Sequence, residues 1–271
     1  MRYNIYVCFI AMIGFVSCEE SDTVAAIDEL SVEAFLHPGE PIDSVKFGRV
    51  IPLDSTNIVA APDDLEALIL LENGEQIPLF YSGVEGIYQN LDYIIEDSSL
   101  YALEVSYNDK IIKAETFIPS AATNATLSST TISRQKISDI SDLLNMDIPD
   151  PIEVNWEGKS GDYYFVHVRS IEESPEVINT LFEDGQAPAL PNLLTEPTIQ
   201  SFYAINSFLD ITHFGWYEVV IYTVNPEYVA LYEDNSSGSG SLNEIRTNVQ
   251  NGFGIFTGIN SRKLFFEVKK Q

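Results

Sequence analysis

The chain of 271 residues has two cysteines, Cys8 and Cys18, both within its first 18 residues. The rest carries no thiol, which excludes a disulfide framework and a cysteine-based metal site. Histidine is nearly as scarce: His37, His167 and His213 stand apart, with no HxxxH or HxH spacing to hold zinc. Bases are also few, 14 Lys and Arg against 41 Asp and Glu, a formal net charge of -27. Such a surface repels phosphate backbones and has no basic cluster to offset the repulsion, so nucleic acid is excluded as a partner. The plain consequence of the acidity is solubility.

Motifs of phosphate, nucleotide and hydrolytic chemistry are missing too. There is no P-loop, no GxGxxG after a strand, no G-x-S-x-G elbow and no HExxH. "EDNSSGSGS" has the look of a calcium loop, but its register fails, because the alternate positions after Asp234 are Ser236 and Gly238. Carboxylates are so abundant that a glycosidase pair can be drawn almost anywhere, which leaves a carboxylate-based glycoside hydrolase as a remote alternative. A non-enzymatic protein without cofactor or metal is the expectation.

A long apolar run is absent as well. "MRYNIYVCFIAMIGFVSC" has Arg2 as a positive start and about a dozen apolar residues from Ile5 to Val16. That is the length of a secretory h-region, short of the ~20 residues that a membrane-spanning helix needs. Phe15 at −3 and the small Ser17 at −1 precede Cys18, which resembles a bacterial lipobox. The resemblance implies a signal peptide over residues 1–17, removed by cleavage, and acylation of Cys18 with palmitate-type chains. Glu19, Glu20, Ser21 and Asp22 follow at once, and residues 18–27 read as an acidic tether. The acidic run resembles the export signal of surface lipoproteins in Bacteroidetes, which implies an outer-membrane protein facing the cell exterior.

What is present is strand chemistry. The 45% hydrophobic content is enough for a sizeable core. Leu30, Val32, Ala34 and Leu36 alternate with Ser31, Glu33 and Phe35, as in a strand with one buried face. Two apolar runs flank Asn73-Gly74, the pair expected in a type I′ hairpin turn. Tyr101, Leu103 and Val105, then Ile112, Ala114, Thr116 and Ile118, form a second pair around Asn108-Asp109. Residues 28–119 therefore read as an Ig/fibronectin-like β-sandwich, and the lack of a Cys…Trp…Cys pattern excludes a true antibody domain.

Residues 120–150 are small and polar and read as a linker with one short helix before Pro149 and Pro151. Residues 151–271 read as a second β-rich, sandwich-like domain. It has a long loop layer from Ile171 to Phe202 and a short helix with Asn225 as N-cap and Pro226 at its first position. Its last segment, "GFGIFTGINSRKLFFEV", is expected to form two strands around a Gly258–Ser261 turn. Trp216, Tyr217, Tyr228 and Tyr232 are the candidate sugar-stacking rings, although strand aromatics are usually core.

Several pieces in this order resemble one family: the lipobox, "LSVEAFLHPGEPI", "GIY" at Gly86–Tyr88, "YALEVSYNDKIIKAETFIP", "VNWEGKSGDYYFVHV", "HFGWYEVVIYTVNPEYVALY" and "NVQNGFGIFTGI". The family is the Bacteroidetes outer-membrane lipoproteins of the domain-of-unknown-function 4249 class. The resemblance implies an all-β lipoprotein, often encoded beside a TonB-dependent outer-membrane transporter, and it supplies no catalytic or binding residue beyond Cys18. The expected function is a lipid-anchored accessory protein that binds a ligand or docks on such a transporter. The alternative is a carbohydrate-binding or adhesive surface module.

Overall fold

A computed structural model describes residues 29–50, 60–181, 189–236 and 247–271. The first seven strands are β1 (Leu30–Leu36), β2 (Pro41–Arg49), β3 (Glu66–Leu71), β4 (Gln76–Tyr81), β5 (Ile87–Ile94), β6 (Leu100–Tyr107) and β7 (Lys110–Phe117). One sheet runs β1-β2-β5 and the other β4-β3-β6-β7, with Phe80 and Tyr81 at the end of β4 crossing to pair with β5. Alternate residues of both sheets, among them Val32, Val45, Phe47, Ile69, Leu103 and Val105, interdigitate in one core.

The hairpin turns differ from expectation in an instructive way. At Asn73-Gly74 only Gly74 has positive φ (84°), and Leu71 and Glu75 close a three-residue loop with a left-handed glycine rather than a type I′ turn. Asn73 instead accepts the Glu75 N–H through its side chain, an interaction that favours a turn with negative φ at that residue. The turn with both central residues at positive φ is Asn108-Asp109, at 47° and 58°.

The second body repeats the topology. It comprises β8 (Thr123–Leu127), β9 (Thr131–Arg134), α1 (Ile140–Asn145), β10 (Ile152–Glu157), β11 (Tyr163–Ser170), β12 (Asn192–Leu194), β13 (Phe202–Ile205), β14 (Gly215–Val224), α2 (Pro226–Ser236) and β16 (Phe253–Lys270), while β15 (Val249–Gln250) pairs with β7 and adds Val249 to the first core. A β8-β10-β13 sheet faces a β12-β11-β14-β16 sheet, to which β9 is added beside β16. Trp156, Val166, Val168, Tyr217, Val219 and Phe266 fill this core. The chain is thus an all-β protein of two fibronectin/Ig-like sandwiches.

Three sequence readings are corrected here. Residues 120–150 are not a linker: β8 pairs with β10, and β9 pairs in parallel with the end of β16. Those strands read as linker because they are short and lie at sheet edges, where most of their residues keep contact with water and only Ile132 and Arg134 are buried. Second, the chain does not turn at Gly258–Ser261 but runs straight through as the 18-residue β16. Gly258 is a close-approach glycine: a Cβ there would meet the Phe117 carbonyl oxygen at 2.7 Å. Third, Asn225 precedes α2 as expected, but its side-chain amide does not cap the helix. It donates to Phe117 O at 2.7 Å and to Thr116 Oγ1 at 3.0 Å.

The last two corrections share a cause, because β16 belongs to both bodies. Residues 253–258 pair in parallel with β1, and residues 259–268 pair antiparallel with β14. Helix α2, which follows β14, packs on the junction. There Glu227 Oε1 accepts from Thr116 and Thr257, and Asn260 Nδ2 donates to Pro119 O and Asp97 Oδ1. Phe165 stacks between Tyr222 and Tyr228, and Tyr228 meets Phe35 of the first body edge-on. A buried polar network with every member paired fixes one arrangement of its parts.

Candidate functional site

Each sandwich has a tyrosine at the start of its central strand whose hydroxyl closes the preceding corner. Tyr101 OH accepts the Glu96 N–H at 2.7 Å. Tyr217 OH donates to His213 O at 2.9 Å and accepts the His213 N–H. Sequence reading missed these corners, although both tyrosines open the same alternation, Tyr101-Leu103-Val105 and Tyr217-Val219-Ile221, with every member buried. Phenylalanine at either position orphans a backbone group, an expected loss of about 1–3 kcal/mol. Urea unfolding of Tyr101→Phe and Tyr217→Phe measures it; midpoints equal to wild type would remove the corners from the account of stability.

Beneath the second corner, burial holds the His213 imidazole below its usual pKa and pushes the Tyr217 phenol up to about 12. The buried Arg134 guanidinium donates to Ser207 O and lies over the Phe208 ring. These groups serve the fold. Of the other histidines, His167 contacts Asn192 on a sheet surface, and His37 lies in the turn between β1 and β2.

The structure does not bring the four candidate rings together. Tyr217 is fully buried and stacked on Phe266, and Tyr228 is stacked on Phe165 at the junction. Tyr232 is half-buried on α2. Only Trp216 faces water, with 44% of its surface exposed. Its companion is one that sequence reading did not name: Phe265, 45% exposed, on the same outer face of β14 and β16. Between them lies Glu218, whose carboxylate is buried and held by Arg169 (Nε to Oε2, 2.7 Å) and Lys263 (3.3 Å). Burial pushes the Glu218 carboxyl up, but the bonds from Arg169 and Lys263 outweigh it, and the group stays below its usual pKa.

A second exposed feature is α1. Asp139 caps it and forms a capping box with Asp142, yet the helix buries no residue. Ile140, Leu144 and Ile148 are 64%, 78% and 63% exposed, interleaved with Asp139, Asp142, Asp147 and Asp150 and with no base from 138 to 151. A helix of six residues that buries nothing draws no stability from tertiary packing.

Among the described residues no group of three or more His, Cys, Asp or Glu is placed to hold a metal ion. A cleft of about 550 Å³ beside β10 is lined by Ser128, Ser129, Asp150 and Glu153, with no histidine or aromatic ring. Cys18, the acidic tether and most of the "EDNSSGSGS" loop lie outside the described residues. No helix among those described is long and apolar enough to cross a membrane.

No protein-family model matches the chain, and no curated protein does. Solved structures do. A chain of a cytokine receptor complex is 12% identical, with 87% of this chain and 95% of that one covered, at a TM-score of 0.29. A two-domain fibronectin type III segment of chicken tenascin is 12% identical over 73% of this chain and 90% of its own, at 0.22. The FN1–FN3 domains of chicken CNTN1 are 9% identical, covering 89% and 65%, at 0.19. The fold assignment itself stands on the strand order of the two bodies.

Proposed function

We propose that the chain is a non-enzymatic accessory lipoprotein of the outer membrane, held by acyl chains on Cys18 and displayed at the cell exterior. There it docks on a TonB-dependent transporter. The observation that carries docking is α1, a capped helix whose apolar side chains are among the most exposed in the molecule. Exposed apolar groups ringed by acid fit a groove with an apolar floor and a Lys/Arg rim, a recurring mode of helix recognition. The lipobox and the acidic run after it support the anchor and its outward face. The order of motifs shared with the Bacteroidetes family supports the link to a transporter.

Three measurements on intact cells test the reading. Palmitate label is expected on the wild type and absent from Cys18→Ala; label retained in the variant removes the anchor. Added protease is expected to degrade the protein, and resistance removes surface display. A photo-crosslinker at Leu144 is expected to recover an outer-membrane barrel, and a loss of that adduct is expected when Ile140 and Ile148 become serine. Crosslinking that recovers no barrel removes the docking.

A further inference from the structure

The outer face of β11, β14 and β16 has a composition that the docking reading does not use. Register places Arg169, Glu218 and Phe265 side by side across the three strands, with Trp216 two residues from Glu218 on the same face. Trp216 and Phe265 are therefore diagonal neighbours, roughly 7–8 Å apart at the backbone. Each ring leaves a little under half its surface in water, as a ring lying against a sheet does. Arg169 engages Glu218 through Nε and Nη2, which fixes the guanidinium plane, and among the described residues its remaining N–H groups, on a half-exposed side chain, meet no other partner. Lys263 holds the other carboxylate oxygen.

The geometry points to a glycan-binding platform centred on Trp216 and Phe265. A pyranose ring has an apolar C–H face that stacks on an aromatic ring, while its equatorial hydroxyls need donors and acceptors held at the ring edge. Here two open rings flank a fixed Arg–Glu–Lys cluster whose half-exposed Arg169 and Lys263 supply donors, while the buried Glu218 holds them in place. A protein partner fits less well, because interface cores are depleted of charge and this one has an ion cluster at its centre. Local charge sharpens the ligand class. On a chain of net charge -27, Arg169, Lys263 and Lys269 here balance Glu218, Glu267 and the Glu172 carboxylate that accepts the Trp216 backbone N–H, so a neutral polysaccharide is the ligand class that meets no repulsion. The inference is independent of α1 and of the membrane anchor.

The test uses the mature chain, extracted in mild detergent and run through native gels containing a soluble β-glucan or a mannan. Retardation is expected in at least one gel. Trp216→Ala and Phe265→Ala are each expected to weaken it about tenfold, the scale for removing a central aromatic anchor. Trp216→Phe should restore much of the binding, and Phe80→Ala, an exposed ring of the first body, should change nothing. Both rings are solvent-exposed, so circular dichroism and thermal midpoints should match wild type. No retardation in any gel, or retardation that survives both alanine substitutions, overturns the platform. A crosslink to another protein that is lost in Trp216→Ala, without retardation in any gel, assigns the face to a protein partner and overturns it equally.

Discussion

Deleting residues 253–271 is expected to abolish cooperative unfolding of both sandwiches, not only of the one that the chain's end follows in sequence. The deleted strand supplies Phe256 to the first core and Phe266 and Val268 to the second, all essentially buried. A buried phenylalanine replaced by alanine costs about 3–5 kcal/mol. A domain's whole net stability is only about 5–15 kcal/mol, and losing a strand removes its ladder as well. The measurement is hydrogen exchange followed by mass spectrometry, with β6 reporting on the first body and β11 on the second. Protection of β6 at wild-type levels in the truncated chain would show that the first sandwich folds without β16.

The second large effect is expected at one atom. Gly254 has φ of 104°, a conformation that other residues rarely adopt, and a Cβ added there would sit 1.9 Å from the Val32 carbonyl oxygen. Neither backbone can yield without breaking the parallel ladder between β1 and β16, whose register includes Val32 opposite Gly254. Gly254→Ala is therefore expected to cost about 3 kcal/mol or more, combining αL-type strain with a lost pairing. Equilibrium denaturation checks it. Gly74→Ala is the useful contrast, since its φ is also positive but nothing lies within 4 Å of the added carbon. If both variants lose the same amount, conformation alone sets the cost and the close approach contributes nothing.

Strands with one face in water and one in the core were legible from sequence. β1, β6 and β7 alternate cleanly, and their burial follows the alternation residue by residue. The short helix α1 was legible through the prolines that follow it, whereas its Asp139 cap was not read. What escaped depends on register between distant segments. "KLFFEV" places Phe265 in water and Phe266 in the core, and only the pairing with β14 says which. In sequence Thr116 reads as one more member of a strand face, Asn225 as a helix cap, and Glu227, Thr257 and Asn260 as ordinary helix and turn residues. They become one junction because β16 passes both bodies. Gly258 and Asn260 read as a turn for the same reason: turn residues are also the ones that permit close backbone approach or satisfy buried carbonyls.

The parallel contact between β1 and β16 has a mechanical consequence. The segment preceding Leu30 enters β1 at its N-terminal end, while the second body continues from the C-terminal end of the residues that β1 pairs with. Tension between that segment and the second sandwich pulls two parallel strands in opposite directions along their length. The six registered pairs from Ser31–Phe253 to Leu36–Gly258 then bear the load together in shear rather than parting one after another as a zipper does. A protein tugged at its leading end while its far domain is held carries that load through this ladder.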